Sequence, residues 1–246
     1  MRDADMASFS GNESRSNIAV STSAETAQTR IWNADFGREY TDRNTFDVED
    51  LDSLYRKYFG ITRTTINQDF LRAIPKDATF LEVGCNAGNQ LLLLQQMEYT
   101  NLSGIELQPY ALEIARSRTR NISLAQGSAL SIPYGDASFD VVFTSGVLIH
   151  IAPEDLPRAM DEIHRCARTF IWGMEYYAPS VTEVNYRGHS QLLWKMDYAQ
   201  KYLSRFNDLE LAREQRIPYL EGANVDNVFL LKKKLTNAQP ATPEGC

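Results

Sequence analysis

The sequence has little cysteine and no basic surplus, and each lack closes off a class of function. Only Cys85, Cys166 and Cys246 occur, far apart in 246 residues. They form neither a disulfide framework nor a metal-ligand spacing, and they fit a reducing, cytoplasmic setting. The formal net charge is −7, so nothing in the balance neutralises phosphates and nucleic acid is not an expected partner. No apolar run approaches the ~20 residues that span a bilayer, and the first residues lack the apolar core of a secretory signal. No membrane partner is expected. What remains is a globular composition, 43% hydrophobic and 23% charged, long enough for one α/β domain with an appendage.

Residues 1–28 are rich in Ser, Ala, Thr and Asn without apolar periodicity, and read as a disordered tail. Residues 29–75 read as a helical cap. In it Trp32, Phe36 and Tyr40 recur at four-residue spacing on one helix over Ile31–Asn44. Asp50–Phe59 and Thr62–Ile74 are the next expected helices, the second stopped by Pro75.

From residue 76 the pattern alternates. Expected strands are Thr79–Val83, Leu102–Ile105, Ile122–Ala125, Phe139–Thr144 and Thr169–Met174. Between them lie helices over Gln90–Met97, Pro109–Arg118 and Pro153–Ala167. Such alternation predicts a Rossmann-like, mostly parallel sheet with helices on both faces. A further helix is expected over Ser190–Leu203. Leu209–Arg216 and Val225–Lys232 are joined too briefly for a crossover helix, so they predict an antiparallel C-terminal hairpin and bring the sheet to seven strands. Residues 235–246 read as a flexible tail.

The strand over Thr79–Val83 runs directly into Gly84-Cys85-Asn86-Ala87-Gly88-Asn89. A glycine turn between a first parallel strand and a helix makes a nucleotide-type pocket. The dinucleotide fingerprint G-x-G-x-x-G fails, since its second and third glycines fall on Asn86 and Asn89. That speaks against a nicotinamide oxidoreductase. Glu106 ends the second strand, where a carboxylate can accept bonds from two ribose hydroxyls.

Four ordered motifs carry a specific likeness. Glu82-x-Gly84-Cys85-x-x-Gly88, Gly104-Ile105-Glu106, Gln126-Gly127-Ser128-Ala129 and Phe139-Asp140-Val141-Val142 resemble those of class I S-adenosylmethionine-dependent methyltransferases. The resemblance implies S-adenosyl-L-methionine as cofactor. It implies that Glu82, Gly84 and Gly88 hold the methionine moiety, with Cys85 among the cofactor-binding residues of the same turn, and Glu106 the ribose. Leu107, Ser128 and Ala129 would border the adenine, and Ser145 would lie at the pocket beyond the fourth strand. The opening Trp32-x-x-x-Phe36-Gly37-x-x-Tyr40-x-x-Arg43-Asn44 resembles methyltransferases associated with pseudaminic acid biosynthesis, which implies that Tyr40 and Arg43 face the cofactor. Glu175-Tyr176-Tyr177, Tyr186-Arg187-Gly188-His189 and Leu193-Trp194-Lys195-Met196-Asp197 resemble the same group.

The acceptor side of such a pocket lies beyond the carboxyl ends of the strands, where three segments emerge. Glu175 ends an apolar strand beside two tyrosines, a setting for an amine-like substrate or a general base. His150 follows the fourth strand and His189 sits on a polar connection; these three are the expected catalytic groups. Tyr176, Tyr177, Tyr186, Arg187, Trp194 and Asp197, in an insertion over 176–200, are the expected substrate contacts. No metal is expected. The expected reaction is methyl transfer to nitrogen on a small amino-acid-like or amino-sugar-like molecule. An oxygen acceptor on a nonulosonic sugar is the alternative, and a non-catalytic cofactor-binding protein the rival of another class. The expected partner is the small-molecule substrate, with a homodimer open as the assembly.

Overall fold

The computed structural model describes residues 26–234. Most of the expected N-terminal tail, and all of the expected C-terminal one, lie outside the described residues.

Seven strands form one sheet in the order β3-β2-β1-β4-β5-β9-β8. The strands are β1 (Thr79–Val83), β2 (Asn101–Glu106), β3 (Ser123–Gln126), β4 (Phe139–Ser145) and β5 (Ala167–Tyr176), then β8 (Leu209–Pro218) and β9 (Val225–Lys233). The first five run parallel, and β9 enters antiparallel between β5 and β8. This is the expected Rossmann-like sheet with its antiparallel hairpin.

Each central strand sends alternate side chains to opposite faces, as the two-residue period of a strand requires. Phe80, Val141, Trp172 and Leu230 pack on one face against α4 (Arg63–Leu71) and α5 (Asn89–Gln96). Leu81, Val142, Ile171 and Leu231 pack on the other against α7 (Leu156–Cys166) and α8 (Tyr198–Arg205). Crossover α6 (Pro109–Arg118) joins β2 to β3.

Two expected helices are redrawn. The one over Ile31–Asn44 is two, α1 (Ala27–Asn33) and α2 (Asp35–Arg43), because Ala34 is extended at φ −95° and ψ −165°. Thr26 caps α1 by accepting the amide of Thr29, so residues 26–28 belong to the helix rather than to a tail. At Gly37 the chain folds back so closely that a Cβ would meet the Trp32 carbonyl oxygen at 1.9 Å. The aromatic cluster still forms: Trp32 lies 5.3 Å from Phe36 and 5.2 Å from Tyr40, both edge-on. The third cap helix is α3 (Val48–Phe59).

The helix expected over Ser190–Leu203 starts only at Tyr198. Asp197 caps α8 by accepting the amide of Gln200 at 2.9 Å. Before it the chain makes a small hairpin of β6 (Thr182–Glu183) and β7 (Trp194–Lys195). The apolar run Leu192-Leu193-Trp194 imitates a helix face, but its members are buried one after another along the bend that leads into β7.

Candidate active site

The glycine turn after β1 is held from beneath: the amides of Gly84 and Cys85 both donate to the Ile105 carbonyl oxygen, at 2.8 and 2.9 Å. Gly84 has φ +73°, and a Cβ there would stand 2.8 Å from the Val147 side chain. The two asparagines that break the dinucleotide fingerprint have structural duties. Asn86 adopts φ +46°, a left-handed conformation that asparagine tolerates, and its Oδ1 accepts the Ala87 amide at 2.6 Å. Asn89 ties the turn to the cap: its Nδ2 donates to the Asn44 carbonyl, and its Oδ1 accepts the Phe46 amide and Arg118 Nη1.

A cavity of about 420 Å³ opens at the carboxyl end of β1, β2, β4 and β5. At one end Glu106 accepts the amides of Asn86 and Gln108, both at 2.9 Å. An ionised carboxylate has lone-pair sites to spare after two such bonds. Leu107, Ser128 and Ala129 border this end, and Glu82, Gly84 and Cys85 form the floor. Glu82 is buried, and its Oε2 has no hydrogen-bond partner among the described residues. Burial pushes its carboxyl well up, against the pull of the Arg63 guanidinium and with a further push from Glu106. A cationic ligand group would satisfy that oxygen.

Over the middle of the cavity stand Tyr40, Ser145, His150 and Tyr186. His150 packs on Trp32 at 4.4 Å and on Tyr186 at 5.4 Å. Its Nδ1 is 2.7 Å from the Leu192 carbonyl oxygen. A carbonyl only accepts, so Nδ1 carries the proton and Nε2 is left as an acceptor. Burial pushes His150 down to about 4, so the ring is neutral near pH 7. Burial likewise raises the Tyr40 hydroxyl, which stays protonated.

Several expected site residues stand elsewhere. Glu175 is fully buried beneath the cavity, where its carboxylate accepts the amides of Val147 at 3.2 Å and Ile149 at 3.4 Å. It braces the single 3-10 turn Leu148–His150 rather than facing a substrate. Arg43 turns outward to Glu39 at 3.4 Å. Gly88, at φ +78°, opens α5 behind the cavity wall. His189 and Arg187 are exposed on the hairpin, with His189 5.2 Å from Phe36 and Arg187 over Tyr186. Tyr177 lies under the Arg216 guanidinium at 3.9 Å, Trp194 is core, and Asp197 caps α8 and pairs with Arg216.

The far end of the cavity holds residues that sequence reasoning missed, beside the expected Tyr176. Tyr55, Phe59, Met174, Tyr219 and Asp226 line it. Behind them Arg63 is fully buried, donating from Nη1 to the Tyr55 hydroxyl at 2.9 Å and from Nε to Asn67 at 2.8 Å. The one available signal was the polar pair Asp226-Asn227 just before the apolar run 228–231.

The sheet order and the glycine-turn site define a Rossmann-like methyltransferase fold. Residues 81–169 match the family described as a methyltransferase domain. Over 93 residues the chain is 30% identical to an uncharacterized methyltransferase of Synechocystis sp., covering 38% of this chain and 43% of that one. Over 90 residues it is 30% identical to a demethylmenaquinone methyltransferase of Chlorobaculum parvum, covering 37% and 36%. The matched stretch thus spans less than half of these relatives. Among solved structures, the fold is similar to the 1,6-didemethyltoxoflavin-N1-methyltransferase of Burkholderia thailandensis, bound to 1,6-didemethyltoxoflavin and S-adenosylhomocysteine. The TM-score is 0.63 at 16% identity, covering 86% of this chain and 91% of that one. Together these matches support a class I methyltransferase.

Proposed function

We propose that the chain is an S-adenosylmethionine-dependent methyltransferase acting on a small polar molecule, with an amine or guanidine nitrogen as acceptor. The observation that carries the reading is one continuous cavity with two chemically different ends. The glycine-turn end, with Glu106 and the unpartnered Glu82 oxygen, fits a nucleoside bearing an amino acid. The aromatic end, built from α3, β5 and the connection of β8 to β9, suits a compact substrate.

S-adenosylmethionine supplies an electrophilic methyl on a sulfonium when bound. Glu106 would hold the ribose hydroxyls, Glu82 the ammonium of the methionine moiety, and Leu107 and Ala129 the adenine. Methyl transfer to nitrogen needs the lone pair aligned with the methyl more than it needs a strong base. Neutral His150 offers Nε2 as an acceptor for an N–H, which would fix the direction of that lone pair. Tyr40 and Tyr186 line the same cavity.

The test is release of S-adenosylhomocysteine on a panel of amino acids, amino sugars and their N-blocked and O-blocked forms. Turnover abolished by N-blocking is expected. Turnover abolished only by O-blocking would move the acceptor to oxygen. Calorimetry with S-adenosylhomocysteine, run beside it, separates a failed acceptor from a failed cofactor assignment.

A further inference from the structure

Asp226 is the second residue of β9, in register with Tyr176 on β5 and Ile217 on β8. That register turns its carboxylate to the cavity. Only 6% of the residue is exposed, and its Oδ1 has no hydrogen-bond partner among the described residues. No ion pair to Asp226 forms among them either. The Tyr219 hydroxyl bonds to the carboxylate, yet Oδ1 stays open, and a buried carboxylate oxygen without a partner costs stability unless something arrives to pair with it.

Its surroundings select the arrival. Tyr219 is the hub of an aromatic enclosure, 4.4 Å from Phe59, 6.0 Å from Tyr58 and 6.3 Å from Tyr176, with Tyr55 5.2 Å from Phe59. Ring faces and a carboxylate together attract a cation and offer little to an anion. Two protein cations stand just outside. Arg63 sits behind Tyr55, 5.4 Å from its ring, and Lys195 lies over Tyr176 at 5.6 Å, donating to Asn224 at 2.5 Å. Both ease the Asp226 charge from a distance and neither occupies the enclosure.

We propose that Asp226, enclosed by Tyr55, Phe59, Tyr176 and Tyr219, is the seat of a substrate alkylammonium group. The seat itself stands on the geometry; calling its occupant the substrate rests on the methyltransferase reading. The requirement is an ammonium on a short chain, compact enough to enter with the cofactor in place. Neutral isosteres and carboxylate-ended molecules are disfavoured.

The probes are n-butylammonium and its neutral counterpart 1-butanol, titrated at pH 8 by saturation-transfer NMR into the full chain. The wild type should prefer the ammonium by about tenfold, the worth of one charge-assisted hydrogen bond. In Asp226→Asn, an isosteric change, the preference should fall below about twofold. Tyr219→Leu, which keeps apolar bulk and the carboxylate, should lower it about threefold through loss of one ring face and of the hydroxyl bonded to Asp226. Equal binding of the two probes to the wild type would overturn the proposal. So would a preference that survives Asp226→Asn or is untouched by Tyr219→Leu. S-adenosylhomocysteine is titrated in parallel. Binding of it without ammonium preference defeats this inference alone; ammonium preference without it defeats the methyltransferase reading and leaves the cation seat standing.

Discussion

The His150 ring donates from Nδ1 to the Leu192 carbonyl oxygen at 2.7 Å, which joins the turn after β4 to the segment leading into β7. This one bond decides the tautomer of the only histidine that lines the cavity among the described residues. His150→Asn keeps a donor near the Nδ1 position and removes Nε2. The variant should lose about a hundredfold in kcat/KM, the usual worth of a positioned proton acceptor. Cofactor affinity and Tm should stay near wild type. Steady-state kinetics with calorimetry and thermal melts measure all three, and unchanged kcat/KM would remove Nε2 from the reaction.

Glu106 already holds two backbone amides and offers its remaining lone pairs to the cavity. Glu106→Gln replaces charge-assisted bonds with weaker ones and brings an NH2 against one of the amides. Binding of S-adenosylmethionine should weaken by about 10- to 100-fold, from a loss of about 1.5–3 kcal/mol. Titration calorimetry reads this directly.

Glu175 makes stability depend on pH in the direction opposite to a salt-bridged carboxylate. Burial pushes its carboxyl from 4.5 up to about 7, against the lowering effect of the Thr144 hydroxyl and the turn amides. Between those values the folded protein keeps a proton that the unfolded chain has released. Its contribution is therefore full below about pH 4.5 and is lost as pH rises to about 7. At about 1.4 kcal/mol per pH unit the loss amounts to roughly 3 kcal/mol. His150, pushed down to about 4, works the other way between pH 4 and 6.5. Subtracting the urea unfolding curves of Glu175→Gln from those of the wild type cancels the histidine. The difference should grow between pH 5 and 7.5 in favour of the variant.

A Cβ on Gly84 would press on Val147, which opens the 3-10 turn after β4. Gly84→Ala needs a left-handed alanine and pushes Val147 from 2.8 Å. It should cost about 1–3 kcal/mol of stability and weaken cofactor binding in step. Equilibrium unfolding checks the first and calorimetry the second.

The parts legible in the sequence are those that local pattern decides. Apolar runs place β1, β4 and β5, the glycine turn follows from Val83-Gly84, and Glu106 is placed by ending its strand. The cap aromatics were legible by spacing even though Ala34 breaks their helix. Glu175 misled because a strand-end carboxylate faces either the ligand or the next turn, and only packing decides which. Asp226 was hidden for a related reason. Its strand was plain, but its facing depends on register against β5 and β8, which no local pattern carries. The helix expected over Ser190–Leu203 starts too early because three apolar residues in a row, Leu192 to Trp194, suit a helix stripe and a buried non-helical segment alike.

The cap is bound into the domain in a way that denies it modularity. Arg118, from the end of α6, donates to the carbonyls of Ala87 in the glycine turn and Phe46 in the cap, as well as to Asn89. Ile66 and Phe70 of the cap share one core with Phe80, Val141 and Trp172 of the sheet. A chain trimmed to begin at residue 76 would bare the part of that sheet face that α4 covers, leaving α5 alone upon it. Exchanging caps between relatives to move substrate preference would thus require recutting the sheet face beneath, so specificity and foldability must vary together in this architecture.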